Sequence, residues 1–110
     1  MKLTTREEES AVVIAVAGRI DATTAPMLEQ CVEESMGENR NILVLNMAEL
    51  GYISSAGLRV VLQAAKDLKA RQGDLLLAGL QGSVKDIFEM SGFLSIFKSF
   101  DTEEAALEQV

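Results

Sequence analysis

The sequence predicts an α/β fold: a mixed sheet, elements in the order ββαβαβαβα, and helices covering the sheet. Three observations carry this. Short runs rich in β-branched residues or leucine recur at 11–18, 42–45 and 75–79. Stretches with apolar residues at helical spacing separate them. Glycine and capping residues punctuate the joins. Alternating strands and helices imply parallel strand pairs joined by crossover helices.

Residues 3–6 read as a short edge strand pairing with 11-AVVIAVAG-18, with 7-EEES-10 as the turn and Gly18 as the end of the second strand. Thr23 or Thr24 then caps a helix whose first turn holds Pro26. Leu28, Cys31, Val32 and Ser35 share one face of that helix, so Cys31 is expected to be buried. Glu29, Glu33 and Glu34 take the other side, and Gly37 predicts the stop. The run 42-ILVL-45, bounded by Asn41 and Asn46, reads as a central strand buried on both faces.

Leu58, Val61, Leu62, Ala65 and Leu68 keep helical spacing up to Gly73, and 75-LLLAG-79 is a second buried strand. Ser83 with Asp86 three residues later has the form of a capping box for a short helix carrying Val84, Ile87 and Phe88, followed by Gly92. Residues 95–100, SIFKSF, are read as a peripheral last strand. Asp101 with Glu104 opens a final helix running through Leu107 to Val110. Met27, Met36, Met47 and Met90 are expected as core or near-core fillers. Phe88, Phe93, Phe97 and Phe100 are expected to pack the last strand and helices, unless an exposed subset forms a contact patch.

Composition narrows the function classes. The chain has 110 residues, 48% apolar and 25% charged, which suits one domain with its own core. Cys31 is the sole cysteine, so no internal disulfide can form and a reducing compartment is expected. The start MKLTTREEES has no apolar signal core, and no apolar run approaches membrane-spanning length, so we expect a cytoplasmic protein without membrane insertion. The absence of histidine removes a Ser-His-Asp triad and most zinc sites. No dense aspartate run suggests magnesium or calcium, and no cofactor is expected. A net charge of −7 with no basic patch argues against nucleic acid as a partner. The glycines of 79-GLQG-82 lack the lysine of a phosphate-binding loop and read as a turn.

The stretch 50-LGYISSAGLRVVL-62 carries the functional question, because two serines stand just before a predicted helix beyond a central strand. In open α/β sheets ligands and chemistry gather at that strand end. A nucleophile elbow needs glycine two positions before the serine, and here Tyr52 and Ile53 stand there. No hydrolase is predicted. Two readings remain open from the residues alone. A serine can simply cap the helix, in which case its loss costs about 1 kcal/mol. Or it can accept a phosphoryl group, whose charge of about −1.5 to −2 the helix N-terminus tolerates while a binding surface is changed. Gly57 either lets the first turn pack closely or is tolerated near a helix end. Arg59 either steadies a phosphate or an acidic partner, or is a solvated surface arginine.

Three segments resemble the STAS-domain family, specifically the small bacterial anti-sigma factor antagonists: 18-GRIDATTAP-26, 46-NMAELGYISSAGLRVVL-62 and 87-IFEMSGFLSIFKSFDTEEAAL-107. The resemblance spans almost the whole chain and implies one STAS-like domain over residues 1–110. The family motif is similar to D-S-[ST]-G-L. Aligned on Gly57 and Leu58, it places Ser55 on the phosphorylated serine, with Ser54 at the usual aspartate position as a rival acceptor and Ala56 at the second hydroxyl position. Asp21 matches the acidic residue of the loop beside the phosphosite, with Thr23 in the same loop, and Asn46 stands where an aspartate often ends the central strand. The resemblance implies a protein that is not an enzyme. Its unphosphorylated form binds an anti-sigma factor that is also a serine kinase, and the sigma factor is released. Phosphorylation ends the binding and a PP2C-type phosphatase restores it. The rival expectation is a non-phosphorylated STAS scaffold or regulatory subunit of a sensory or membrane transport complex. Nucleotide binding, a third reading, lacks a phosphate-binding loop.

Overall fold

A computed structural model describes residues 1–9, 11–37 and 40–110. The elements follow in the predicted order: β1 (Lys2–Glu8), β2 (Ala11–Ile20), α1 (Ala25–Ser35), β3 (Ile42–Ile53), α2 (Ser55–Ala70), β4 (Asp74–Ala78), α3 (Gly82–Met90), β5 (Lys98–Phe100) and α4 (Glu103–Leu107), with a 3₁₀ turn at Phe93–Ser95. The sheet order is β1-β2-β3-β4-β5. β1 pairs antiparallel with β2, and every other pair is parallel.

The two sheet faces are covered differently. Alternate residues of β2, β3 and β4, such as Ile14, Leu45 and Leu77, meet Leu28 of α1, Val61 of α2 and Phe88 of α3 in one apolar layer. On the opposite face Val13, Val44, Leu76 and Ala78 are covered by Ala106 of α4, with Phe100 and Leu107 packed beside them. Among the described residues no helix is long and apolar enough to cross a membrane.

The largest departure from the sequence reading is β3, which does not stop at Asn46 but runs to Ile53. Its pairing with β4 does end at Asn46–Ala78, and beyond that point β3 continues with β2 alone. Two register shifts each place an extra residue on β3, one between Ala15 and Ala17 and one between Gly18 and Arg19 of β2. Bulges of this kind break the period of two. Met47, Leu50 and Ile53 are therefore buried at intervals of three, which hides the strand from a pattern search.

Other boundaries move for local reasons. Glu7 and Glu8 belong to β1, not to a turn; Glu7 pairs with Arg40 and Glu8 with Arg6 on an exposed edge strand. The turn falls at Glu9, with φ of 52°, and Ser10 lies outside the described residues. Ser83 does not cap α3: Gln81 holds the cap position, and the Ser83 hydroxyl sits inside the first turn, 3.4 Å from the Gly51 carbonyl. Residues 95–97 are not strand, because Gly92 turns the chain at φ of 79° and packs Phe93 and Phe97 edge-to-face with Phe88. Phe100 lies across the sheet from these three. Thr102, not Asp101, caps α4 by accepting the Ala105 N–H at 3.1 Å, and the helix ends at Leu107. Met47 is a core residue, but Met27 and Met90 are 52% and 86% exposed. Cys31 is only half-buried, because β1 leaves a groove of about 530 Å³ beside α1.

Candidate functional site

The site is built on the last rung of the β2–β3 pair. Ile20 and Ile53 are register partners there, both buried. Ser54 follows in extended conformation, and its N–H donates to the Ile20 carbonyl at 2.8 Å. Its hydroxyl accepts the Gly57 N–H at 3.2 Å, and its carbonyl accepts the Leu58 N–H at 2.9 Å. Ser54 is thus the N-cap of α2, as its residue type favours.

Ser55 is the first helical residue and is exposed. Among the described residues its hydroxyl makes no side-chain hydrogen bond, so it is chemically uncommitted at the positive end of a 16-residue helix. Gly57 decides between its two readings. A Cβ there would stand 2.6 Å from Ile20 Cγ2 and 2.8 Å from Ile53 Cγ1. The glycine is needed so that α2 can start directly against the rung.

Asp21 follows Ile20 and organises the neighbouring loop. Its carboxylate accepts the Thr23 hydroxyl at 2.7 Å, the Thr23 N–H at 3.0 Å and the Thr24 N–H at 3.1 Å. These bonds, the Thr23 hydroxyl foremost, hold its pKa below the ordinary carboxylate value, against a small opposing effect of burial. Thr24 occupies the cap position of α1 without capping it; its hydroxyl accepts the Asp21 N–H at 2.8 Å and donates to the Arg19 carbonyl at 3.0 Å. The Arg19 guanidinium stacks on the Tyr52 ring, 4.4 Å from its centre, and fixes the outer side of the ribbon.

The fold therefore brings Asp21, Thr23, Ser54, Ser55, Ala56 and Gly57 to one end of the β2–β3 ribbon. Arg59 is exposed four residues after Ser55, on the same side of α2. Asn46 does not join them. It lies in the interior of β3, up to ~25 Å from Ser54 at strand rise. Its amide donates to Glu103 of α4 at 2.9 Å, and its side-chain oxygen accepts the Ala48 N–H at 3.0 Å. It fastens the far sheet face rather than surrounding the serine. Ile20 was not singled out by sequence reasoning although both Ser54 and Gly57 are placed against it; its one signal was an apolar residue directly before the acidic loop.

The site offers an exposed hydroxyl on the first residue of α2 and an ionised carboxylate in the loop that follows β2. Among the described residues no group of three metal-ligating side chains accompanies it.

Comparison with known proteins shows the family and the fold. The STAS domain family model matches residues 2–106. BtrV of Bordetella bronchiseptica, provisionally named an anti-sigma factor antagonist, is 41% identical over 96% of this chain and 91% of its own. The anti-sigma-B factor antagonist of Listeria monocytogenes is 36% identical over 82% of this chain and 79% of its own. Among solved structures, the Bacillus cell fate determinant SpoIIAA in its phosphorylated form superposes with a TM-score of 0.78, at 21% identity over 98% of each chain. By the reach of the family model and the identity to these relatives, the chain belongs to the STAS-domain family.

Proposed function

We propose that this chain, working as one STAS domain over residues 1–110, is an anti-sigma factor antagonist controlled by phosphorylation of Ser55. In this reading the unphosphorylated form binds an anti-sigma factor with serine kinase activity in the cytoplasm and frees the sigma factor. Transfer of a phosphoryl group to Ser55 ends the binding, and a PP2C-type phosphatase restores it. The chain is a substrate and a ligand, not a catalyst.

The observation that carries the proposal is the division of labour between the two serines. Ser54 spends its hydroxyl on the Gly57 N–H, whereas Ser55 is exposed and uncommitted. The relatives' names supply the class of partner. A phosphate at the first turn of α2 meets the positive end of the helix dipole, so the fold tolerates it. It also stands near the ionised Asp21, and the added charge must be desolvated against any docked partner. The switch acts on binding and spares the fold.

The test is calorimetric titration with the cognate anti-sigma factor, together with peptide mapping of the protein from growing and stressed cells. Ser55→Ala should bind within a few-fold of the wild type, and Ser55→Glu should lose about tenfold or more, equivalent to ~1.4 kcal/mol. The phosphate should map to Ser55. Equal affinity of the wild type and the acidic variant, with no phosphate in any condition, would overturn the proposal.

A further inference from the structure

The second half of α2 borders a surface that the serine switch does not use. Between α2, β4 and the residues Ile96 and Phe97 lies an open groove of about 310 Å³. Leu62, Ala65, Leu75 and Phe97 form its floor. Ile96 stands at its edge with 61% of its surface exposed, next to a core in which Phe97 is buried. Ile96 thus extends the apolar floor to the surface at one edge of the groove.

The rim has a definite charge. Lys66 and Lys69 border the groove and form no salt bridge among the described residues. The one carboxylate on the lining, Asp74, is already paired with Lys98 at 2.8 Å. The groove is therefore positive, in a chain of net charge −7. The other flank of α2 has the opposite balance: Asp67, Glu29 and Glu33 line the α1–α2 cleft with one cation, Arg71. An acidic segment is repelled from one side of α2 and drawn to the other.

We infer that this groove docks an acidic amphipathic helix of a partner protein, independently of the state of Ser55. Leu62, Ala65, Lys66 and Lys69 fall at i, i+3, i+4 and i+7, a stripe of about 10 Å along α2. A helix laid beside it presents apolar residues to the floor at the same spacing and carboxylates to the two lysines. An apolar centre ringed by charge also has the usual anatomy of a protein interface. Ser55 lies roughly 16 Å from Lys66 along the helix axis. A phosphate there would be largely screened from the groove.

The test uses the full chain, isotopically labelled, and two synthetic amphipathic helical peptides sharing one leucine face, flanked in one by glutamates and in the other by lysines. The glutamate peptide should shift the amides of Leu62, Ala65, Leu75, Ile96 and Phe97, and the lysine peptide should not. Combined Lys66→Glu and Lys69→Glu substitution should weaken the glutamate peptide about tenfold or more and admit the lysine peptide. Ser55→Glu should bind the glutamate peptide as the wild type does, which separates this inference from the fate of the serine switch. The inference is overturned if the peptides bind equally, if neither shifts these amides, or if the shifts gather at the Ser55 end. It is also overturned if dilution of the protein alone moves the same amides, since a second copy of the chain would then be the occupant.

Discussion

The two faces of the sheet are held by different physics. On one, three helices press an apolar layer onto β2, β3 and β4, and buried contact area is the main term that stabilises them. On the other, the cover is α4, a helix of five residues. A helix that short has no stability of its own in water. It is kept in place by the buried Ala106, by the Thr102 cap and by Glu103, which accepts from both the Arg6 guanidinium and the Asn46 amide. Directional polar ties do on the narrow face what area does on the wide one. The proposed serine switch rides the wide face, where Gly57 is packed against the Ile20–Ile53 rung. A charge can then be added at Ser55 without loosening its support.

The largest expected effect tests this inequality. Phe88 is fully buried and meets both Phe93 and Phe97 edge-to-face. Phe88→Ala should destabilise the protein by about 3–5 kcal/mol, read from the urea midpoint. Leu107→Ala, on the half-buried edge of the narrow face, should cost less than about 2 kcal/mol. If the two variants lost equal stability, the narrow face would be as strong a core as the wide one and the comparison would fail.

Much of the wide face was legible in the sequence, because α1, α2, β4 and the first half of β3 keep their periods, whereas the bulged second half of β3 on the same face does not. Leu43, Leu45, Leu75 and Leu77 lie in that layer, and Leu58, Val61, Leu62, Ala65 and Leu68 pack on it as read. The narrow face was not legible. Its ties join residues far apart in the chain, Arg6 to Glu103 and Asn46 to Glu103, and no local pattern marks them. Asn46 was consequently assigned to the serine site by resemblance, when its side chain points across the sheet. The serines were located correctly at the helix start, but which one caps depended on where β3 ends, and two bulges concealed that end.

An intermediate effect concerns the polar ties in acid. Burial disfavours the charged form of Glu103, but the hydrogen bonds from Arg6 and Asn46, with the charge of Arg6, outweigh it and hold the pKa below its ordinary value. A carboxylate with a lowered folded pKa contributes stability above its unfolded value of about 4.3, and loses it as pH falls through the folded value. The wild type should therefore lose melting temperature below about pH 4 more steeply than Glu103→Gln, which has no charge to lose there. At neutral pH the substitution should cost about 1 kcal/mol. Asp21 has the same sign, so Asp21→Asn is the control. Parallel wild-type and Glu103→Gln curves across that range would show that area, not the polar tie, secures α4.

The smallest effects separate the neighbouring serines. Ser54→Ala removes the acceptor for the Gly57 N–H and should cost about 1 kcal/mol. Ser55→Ala removes an exposed hydroxyl without a side-chain partner and should change stability by less than about 0.5 kcal/mol. Partner binding should divide the other way. Ser54→Ala leaves the acceptor in place, so it should still be phosphorylated, while Ser55→Ala should bind and never be switched off. Stability and switching are thus assigned to adjacent residues, and each variant should lose one property and keep the other. A Ser55→Ala protein destabilised as much as Ser54→Ala would make both residues part of the cap and leave no hydroxyl free for a kinase.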